Sequence, residues 1–260
     1  MAGPLSTDEI IKAALKGIIT AQQDYFTWSD EWLWRAPEYL STVYVAREIG
    51  KLTPSKFITL ENDVDSAIEE AGARGRGKLH SAIRANGRFD ILLWWANEKP
   101  RAPIEIKCQV TNFEKIRIDI ERIQKVLHRN KNESSMNFGA LVFYTSCRDD
   151  SRNSAKEKLS EYFENIRKEC KDLVGDSCEV SFEQTKISIE DDSAWAGAAR
   201  DGHHGAGCLA LRRAASASSL VPFSLGAMRT TSGEASMPLT APARMRSRAS
   251  ILRLCSASRS

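Results

Sequence analysis

Two apolar runs, "FDILLWW" at residues 89–95 and "PIEIKCQV" at 103–110, are joined by the polar stretch "ANEKPR". Runs of this length around a Pro- and Asn-containing turn read as a β-hairpin, with strands over 88–95 and 102–110. Each run carries charge where a core strand should be apolar: Asp90 in the first, Glu105 and Lys107 in the second. Side chains alternate across a strand, so Glu105 and Lys107 share one face. A turn centred near 97–99 sets Asp90 opposite a residue between 105 and 107. One register therefore gathers Asp90, Glu105 and Lys107, while Ile91, Leu93, Ile104 and Ile106 turn to the other side.

Two neighbouring carboxylates repel and raise each other's pKa unless a cation lies between them. A divalent ion relieves that repulsion, and hard Mg²⁺ is typically held by one or two carboxylates plus water. Lys107 beside such an ion would stabilise the charge of a reacting phosphate, or orient and deprotonate a water. The plain alternative is a structural Asp–Lys–Glu ion pair on a half-exposed sheet.

The flanking sequence supplies the remaining elements. Ser6 and Glu9 form a capping box ahead of a first helix. A second helix starts near Pro37, and a third is expected over 59–72, ended by Gly72. The glycine-rich, basic stretch "ARGRGKLHSAIRANG" (73–87) reads as a loop. Ile116, Ile120, Ile123 and Leu127 have helical spacing, "FGALVFYTS" (138–146) is a buried strand, Leu159, Phe163, Ile166 and Cys170 mark an amphipathic helix, and "CEVSFEQTKISIE" (178–190) alternates as a last strand. The expected fold is α/β: a mixed central sheet flanked by helices. An N-terminal helical part spans 1–60, the α/β core 61–190, and an Ala/Ser/Arg-rich tail 191–260.

That tail shows no sustained period and reads as disordered. Its charge also differs from the rest. Residues 1–192 carry 28 Lys and Arg against 32 Asp and Glu, a net −4, whereas the remainder carries 9 Arg against two acids. The overall +3 therefore says little about the folded part, and any nucleic-acid site must be local. The six cysteines include no CxxC pair and read as reduced thiols. His203 and His204 with Cys208 lack complete metal-ligand spacing. No apolar stretch approaches the roughly 18 residues of a membrane span, and the N-terminus lacks the pattern of a secretion signal, so a cytoplasmic location is expected.

The order of "FDILLWW", "PIEIK", a helix and a buried strand resembles the PD-(D/E)xK nuclease superfamily, with its restriction-endonuclease-like fold, over about residues 60–145. Asp90 matches the first acid of the motif, Glu105 the second and Lys107 the lysine; Phe89 stands where the motif's proline would be. The resemblance implies an α-β-β-β-α-β core and Mg²⁺-dependent (or Mn²⁺-dependent) hydrolysis of phosphodiester bonds. The expected partner is DNA, with RNA also open, in a prokaryotic role such as restriction, repair or defence. Some double-strand cutters of this fold form homodimers. The resemblance also implies a helix-borne Glu as a further metal ligand, for which Glu70 and Glu38 are candidates.

Gln109, on the face of Lys107, is a candidate contact for the attacking water or a phosphate. Asp119 and Arg122 read as a surface ion pair, and Trp28, Trp32 and Trp34 as packing residues in preference to a base-stacking platform. Arg74, Arg76, Lys78, Arg84 and Arg88 lead into the hairpin and are candidate phosphate contacts. A catalytically idle nucleic-acid-binding relative, or a protein-interaction module, is the alternative to an enzyme.

Overall fold

The computed structural model describes residues 5–52, 57–148, 154–187 and 202–214. Five α-helices and six strands follow in the order α1 (Thr7–Ser29), α2 (Glu38–Gly50), β1 (Phe57–Asp63), α3 (Val64–Glu70), β2 (Arg88–Trp94), β3 (Pro100–Lys107), α4 (Glu114–His128), β4 (Phe138–Arg148), α5 (Ala155–Val174), β5 (Cys178–Ile187) and β6 (Gly202–Arg213). The strands form one sheet in the order β1-β2-β3-β4-β6-β5. Among the described strands only β3 and β4 pair in parallel, joined by the long crossover through α4 that parallel pairing needs. The architecture is the expected mixed α/β sheet flanked by helices.

Each face of the sheet carries its own core. On one, Ile10, Ile11 and Ile18 of α1 and Val45 and Ile49 of α2 pack over Ile91, Ile104, Ile106 and Val142. On the other, Ile68 of α3, Ile120 and Ile123 of α4 and Phe163 of α5 pack over Phe89, Leu92, Leu141 and Phe143. The helix starts follow local chemistry: both Ser6–Glu9 and Ser154–Glu157 form complete capping boxes.

Two expectations change. Residues 59–63 belong to a strand, and the helix begins only at Val64. The Asp63 side chain accepts the Ser66 N–H and so starts that helix, while Thr59 and Leu60 pair with Leu92 and Ile91. Residues 59–63, expected as helix, are therefore part of β1, which precedes α3.

The tail is not wholly disordered: Gly202–Arg213 forms β6, inserted between β4 and β5 and antiparallel to both. A central strand is buried on both faces and shows no apolar–polar alternation. Here Ala206, Cys208 and Ala210 enter one core, Leu209 and Leu211 the other. The glycines have a steric reason. A Cβ on Gly207 would lie 2.4 Å from the Phe143 ring, and one on Gly205 2.9 Å from the Phe163 ring.

The described residues from Leu5 to Ala214 belong to one compact unit. The rest of the tail lies outside the described residues. No helix among the described residues is long and apolar enough to cross a membrane.

The burial of β6 has a direct consequence. Fully burying a Leu contributes about 1.5–3 kcal/mol, so Leu209 and Leu211 alone offset a large part of the roughly 5–15 kcal/mol that holds a domain folded. A chain ending at residue 192 would leave the β4 edge open as well. Compared with the full chain by calorimetry, it is expected to lack a cooperative unfolding transition.

Candidate functional site

The sheet opens at Asp90. The ladder between β2 and β3 ends at the pair Ile91–Ile104, although β3 stays paired with β4 through Lys107. One residue further, the Asp90 carboxylate takes over: its Oδ2 accepts the Ile106 N–H at 2.7 Å. On the other side of β2 the ladder to β1 skips the Glu61–Asp90 position, between the pairs Leu60–Ile91 and Asn62–Phe89. Glu61 has φ 55°, a left-handed conformation uncommon for a residue with a side chain. Asp90 thus sits at a break in both ladders, one residue beyond the last β2–β3 pair.

Glu105 is 2% exposed, in the middle of the sheet. Its Oε1 accepts a hydrogen bond from Arg122 Nη1 at 2.6 Å. Arg122, on α4, also donates to the carbonyls of Ile83 (3.1 Å) and Arg88 (2.8 Å), and its guanidinium lies 4.8 Å from the centre of the Phe89 ring. Burial pushes the Glu105 carboxyl well above its ordinary range, more than Arg122 pulls it back. Burial likewise raises Asp90, with Glu38 and Glu61 adding to it and the Ile106 N–H and Lys107 opposing.

Lys107 lies among acids. Its Nζ is 3.3 Å from Glu38 Oε1 and 3.8 Å from Asp119 Oδ2. Burial alone would lower its pKa, but Asp119, Glu38, Asp90 and Glu105 together outweigh burial and raise it. The acids thus hold Lys107 towards its ammonium form, which favours the first of the two roles expected for it, stabilising charge.

Glu38 opens α2. Besides meeting Lys107, its Oε2 accepts the Cys108 N–H at 2.9 Å. Of the two helix-borne candidates it is the one that reaches the cluster, on the lysine side. Glu70 ends α3 exposed and makes no bond to the cluster. Gln109 departs from the strand's alternation, because its backbone is left-handed (φ 54°) and its amide donates to the Trp34 carbonyl at 2.6 Å.

Asp119 and Arg122 are not a surface pair. Both are buried; Asp119 pairs with Arg84 and Lys107, Arg122 with Glu105. The sequence held a signal for this. Asp119 lies three residues after Ile116 and four before Ile123, and Arg122 four before Val126, so both fall on the apolar stripe of α4. Among the tryptophans, Trp28 is 64% exposed, Trp32 stacks on His204 with ring centres 3.4 Å apart, and Trp34 carries Arg35 over its ring. His204 is a packing residue, bonded through Nδ1 to the Tyr144 hydroxyl at 2.6 Å.

The donor set bears on whether a divalent ion fits. No group of three or more His, Cys, Asp or Glu among the described residues is arranged to hold a metal. Among the described residues, one oxygen of each of the two strand acids has no hydrogen bond: Oδ1 of Asp90 and Oε2 of Glu105. Neither is among the unpartnered side-chain atoms sealed from solvent. Two such hard oxygens fit an ion held by two carboxylates and water, and a bound cation would draw both groups to their ionised form.

Two measurements follow from this geometry. Removing one member of a buried ion pair typically costs about 3–5 kcal/mol, whereas replacing both with apolar groups is often near neutral. Arg122→Met is thus expected to lose that much in urea unfolding, and Arg122→Met with Glu105→Met to recover most of it. Cys108, bonded to Ser41 Oγ at 3.3 Å, has its thiol pushed up to about 11 by burial. With an ordinary thiol near pKa 8.5, that leaves on the order of 10²-fold fewer thiolates at neutral pH. Peptide mass spectrometry after brief iodoacetamide treatment of the native protein should find Cys108 unmodified, and equally modified with other cysteines once the chain is unfolded.

Comparison of the chain with protein-family models, curated proteins and solved structures finds no match.

Proposed function

We propose that the protein is a metal-dependent nuclease that hydrolyses phosphodiester bonds, DNA being the substrate tested first. The observation that carries this reading is the meeting of Asp90, Glu105 and Lys107 on one sheet face where β2 and β3 part. The element order supports it: α2-β1-β2-β3-α4-β4 follows the α-β-β-β-α-β core of the PD-(D/E)xK superfamily, with α3 as an insertion between the first two strands.

In this reading Asp90 and Glu105 hold Mg²⁺ or Mn²⁺. When bound, the ion supplies Lewis-acid polarisation of a phosphoryl oxygen and lowers the pKa of a bound water. The protein's own contributions are distinct. Lys107, kept protonated by its acid neighbours, stabilises the negative charge that grows on the phosphate in the transition state. Glu38 positions Lys107 and caps the end of β3. Arg122 fixes the Glu105 rotamer through its 2.6 Å bond.

A second reading, a nucleic-acid-binding relative without turnover, draws on that same bond, because Arg122 already balances Glu105. The two differ in a simple assay. With circular DNA and Mg²⁺ or Mn²⁺, the full chain should nick or linearise the substrate. Glu105→Ala and Lys107→Ala should each lower the rate by about 10²–10³-fold, the loss seen when one electrostatic group of an active site is removed. A nuclease should also show a melting temperature that rises with the metal ion. DNA left intact by the wild type under all these conditions would refute the enzyme.

A further inference from the structure

We infer that the segment from Gly72 to Arg88 is a preshaped arm that binds a phosphodiester backbone, with Arg76 and Lys78 as its phosphate contacts. The inference rests on the nuclease reading for the class of polyanion and adds the surface that would hold it.

The arm contains no regular structure beyond one turn of 3-10 helix at Ser81–Ile83. Fixing a residue's backbone costs about 1–2 kcal/mol, so a loop of this length keeps one shape only where something holds it. What holds it is α4 and the turn after it. Arg129 donates from Nε to the Arg74 carbonyl and from Nη2 to those of Arg76 and Gly77, each at 2.8 Å. The Asn130 amide donates to the Gly72 carbonyl at 2.9 Å. At the far end Arg122 holds the carbonyls of Ile83 and Arg88. Gly77, at φ 83°, supplies a conformation that a larger residue would resist. Three side chains thus clamp both ends of the arm to the helix that also holds Glu105.

The charges sort in a telling way. Arg74 is paired with Asp65, Arg84 with Asp119, and Arg88 lies 4.0 Å from Glu61. Arg76 and Lys78 are exposed and, among the described residues, have no partner. They lie in and beside the stretch whose carbonyls Arg129 holds. Cations set two residues apart on a fixed backbone suit a repeating anion, and the arm ends in β2, at Asp90. Arg84, through Asp119, is linked to Lys107. In this inference a backbone phosphate on Arg76 and Lys78 belongs to a strand that follows the arm towards β2, into which the chain leads.

The test measures binding in EDTA, without turnover, on the full chain. Short fluorescently labelled DNA and RNA duplexes of equal length are titrated at several salt concentrations, and the two arms separate the sources of the same phosphate chemistry. Each phosphate neutralised on B-DNA contributes about −0.9 to the slope of log affinity against log salt. Arg76→Ala with Lys78→Ala is expected to make the DNA slope shallower by about 1.8. Lys168→Ala with Lys171→Ala, on exposed positions of α5 against the β5–β6 end of the sheet, removes equal charge and is expected to leave the slope unchanged.

The inference is overturned by a wild type that binds neither duplex, by an unchanged slope in the arm variant, or by an equal change in the α5 variant. Its fate is separable from that of the enzyme. The expected slopes without cleavage in Mg²⁺ would sink the nuclease and keep the arm, and cleavage with an unchanged slope would do the reverse.

Discussion

The buried pair of Glu105 and Arg122 is the interaction on which this architecture turns. A carboxylate in the middle strand of a sheet covered by helices on both faces has lost nearly all its water. Its burial is tolerated only if a cation reaches it with good geometry and spends its remaining donors elsewhere. Arg122 does this through three of its nitrogens, touching β3, the end of the Gly72–Arg88 segment and the start of β2 together. An apolar pair of equal volume would fill the space as well, but it would not fix α4 in rotation or hold the carbonyls of Ile83 and Arg88. The pair therefore works as a register pin, and the functional cluster is built around it.

How much of this was legible depends on whether the physics was local. The hairpin could be read because period-two alternation and a turn signal are properties of a few consecutive residues. From them came the shared face of Glu105 and Lys107 and the approach of Asp90. The capping box at Ser6 was local in the same sense. β1 was harder: Thr59–Asp63 runs straight into a helix with no turn residue between them, and Asp63 serves both as the last residue of the strand and as the cap of the helix. A boundary of that kind leaves no composition shift to detect.

The least legible parts were those set by distant partners. β6 is an apolar and small-residue run whose glycines make sense only beside the rings of Phe143 and Phe163. Its neighbours in the sheet, β4 and β5, lie well before it in the chain, so nothing nearby marks it as a strand. Arg122 and Asp119 failed for a different reason. Charged residues on a helix are usually solvated, and that prior outweighed their position on the apolar stripe. Gln109 failed because alternation stops where the strand does, and a left-handed residue two positions beyond Lys107 redirects the side chain.

Electrostatics ties the proposed site and the proposed arm together. A phosphodiester drawn by Arg76 and Lys78 towards Asp90 would meet a cluster whose cations are already taken. Lys107 is matched by Glu38 and Asp119. Arg122 is committed to Glu105 and buried beside it. In the proposed reading a phosphate is held there only if a further cation arrives at the free oxygens of Asp90 and Glu105. A phosphate would then be held where Lys107 can stabilise it, and without that cation the same surface would bind a strand yet leave it uncut.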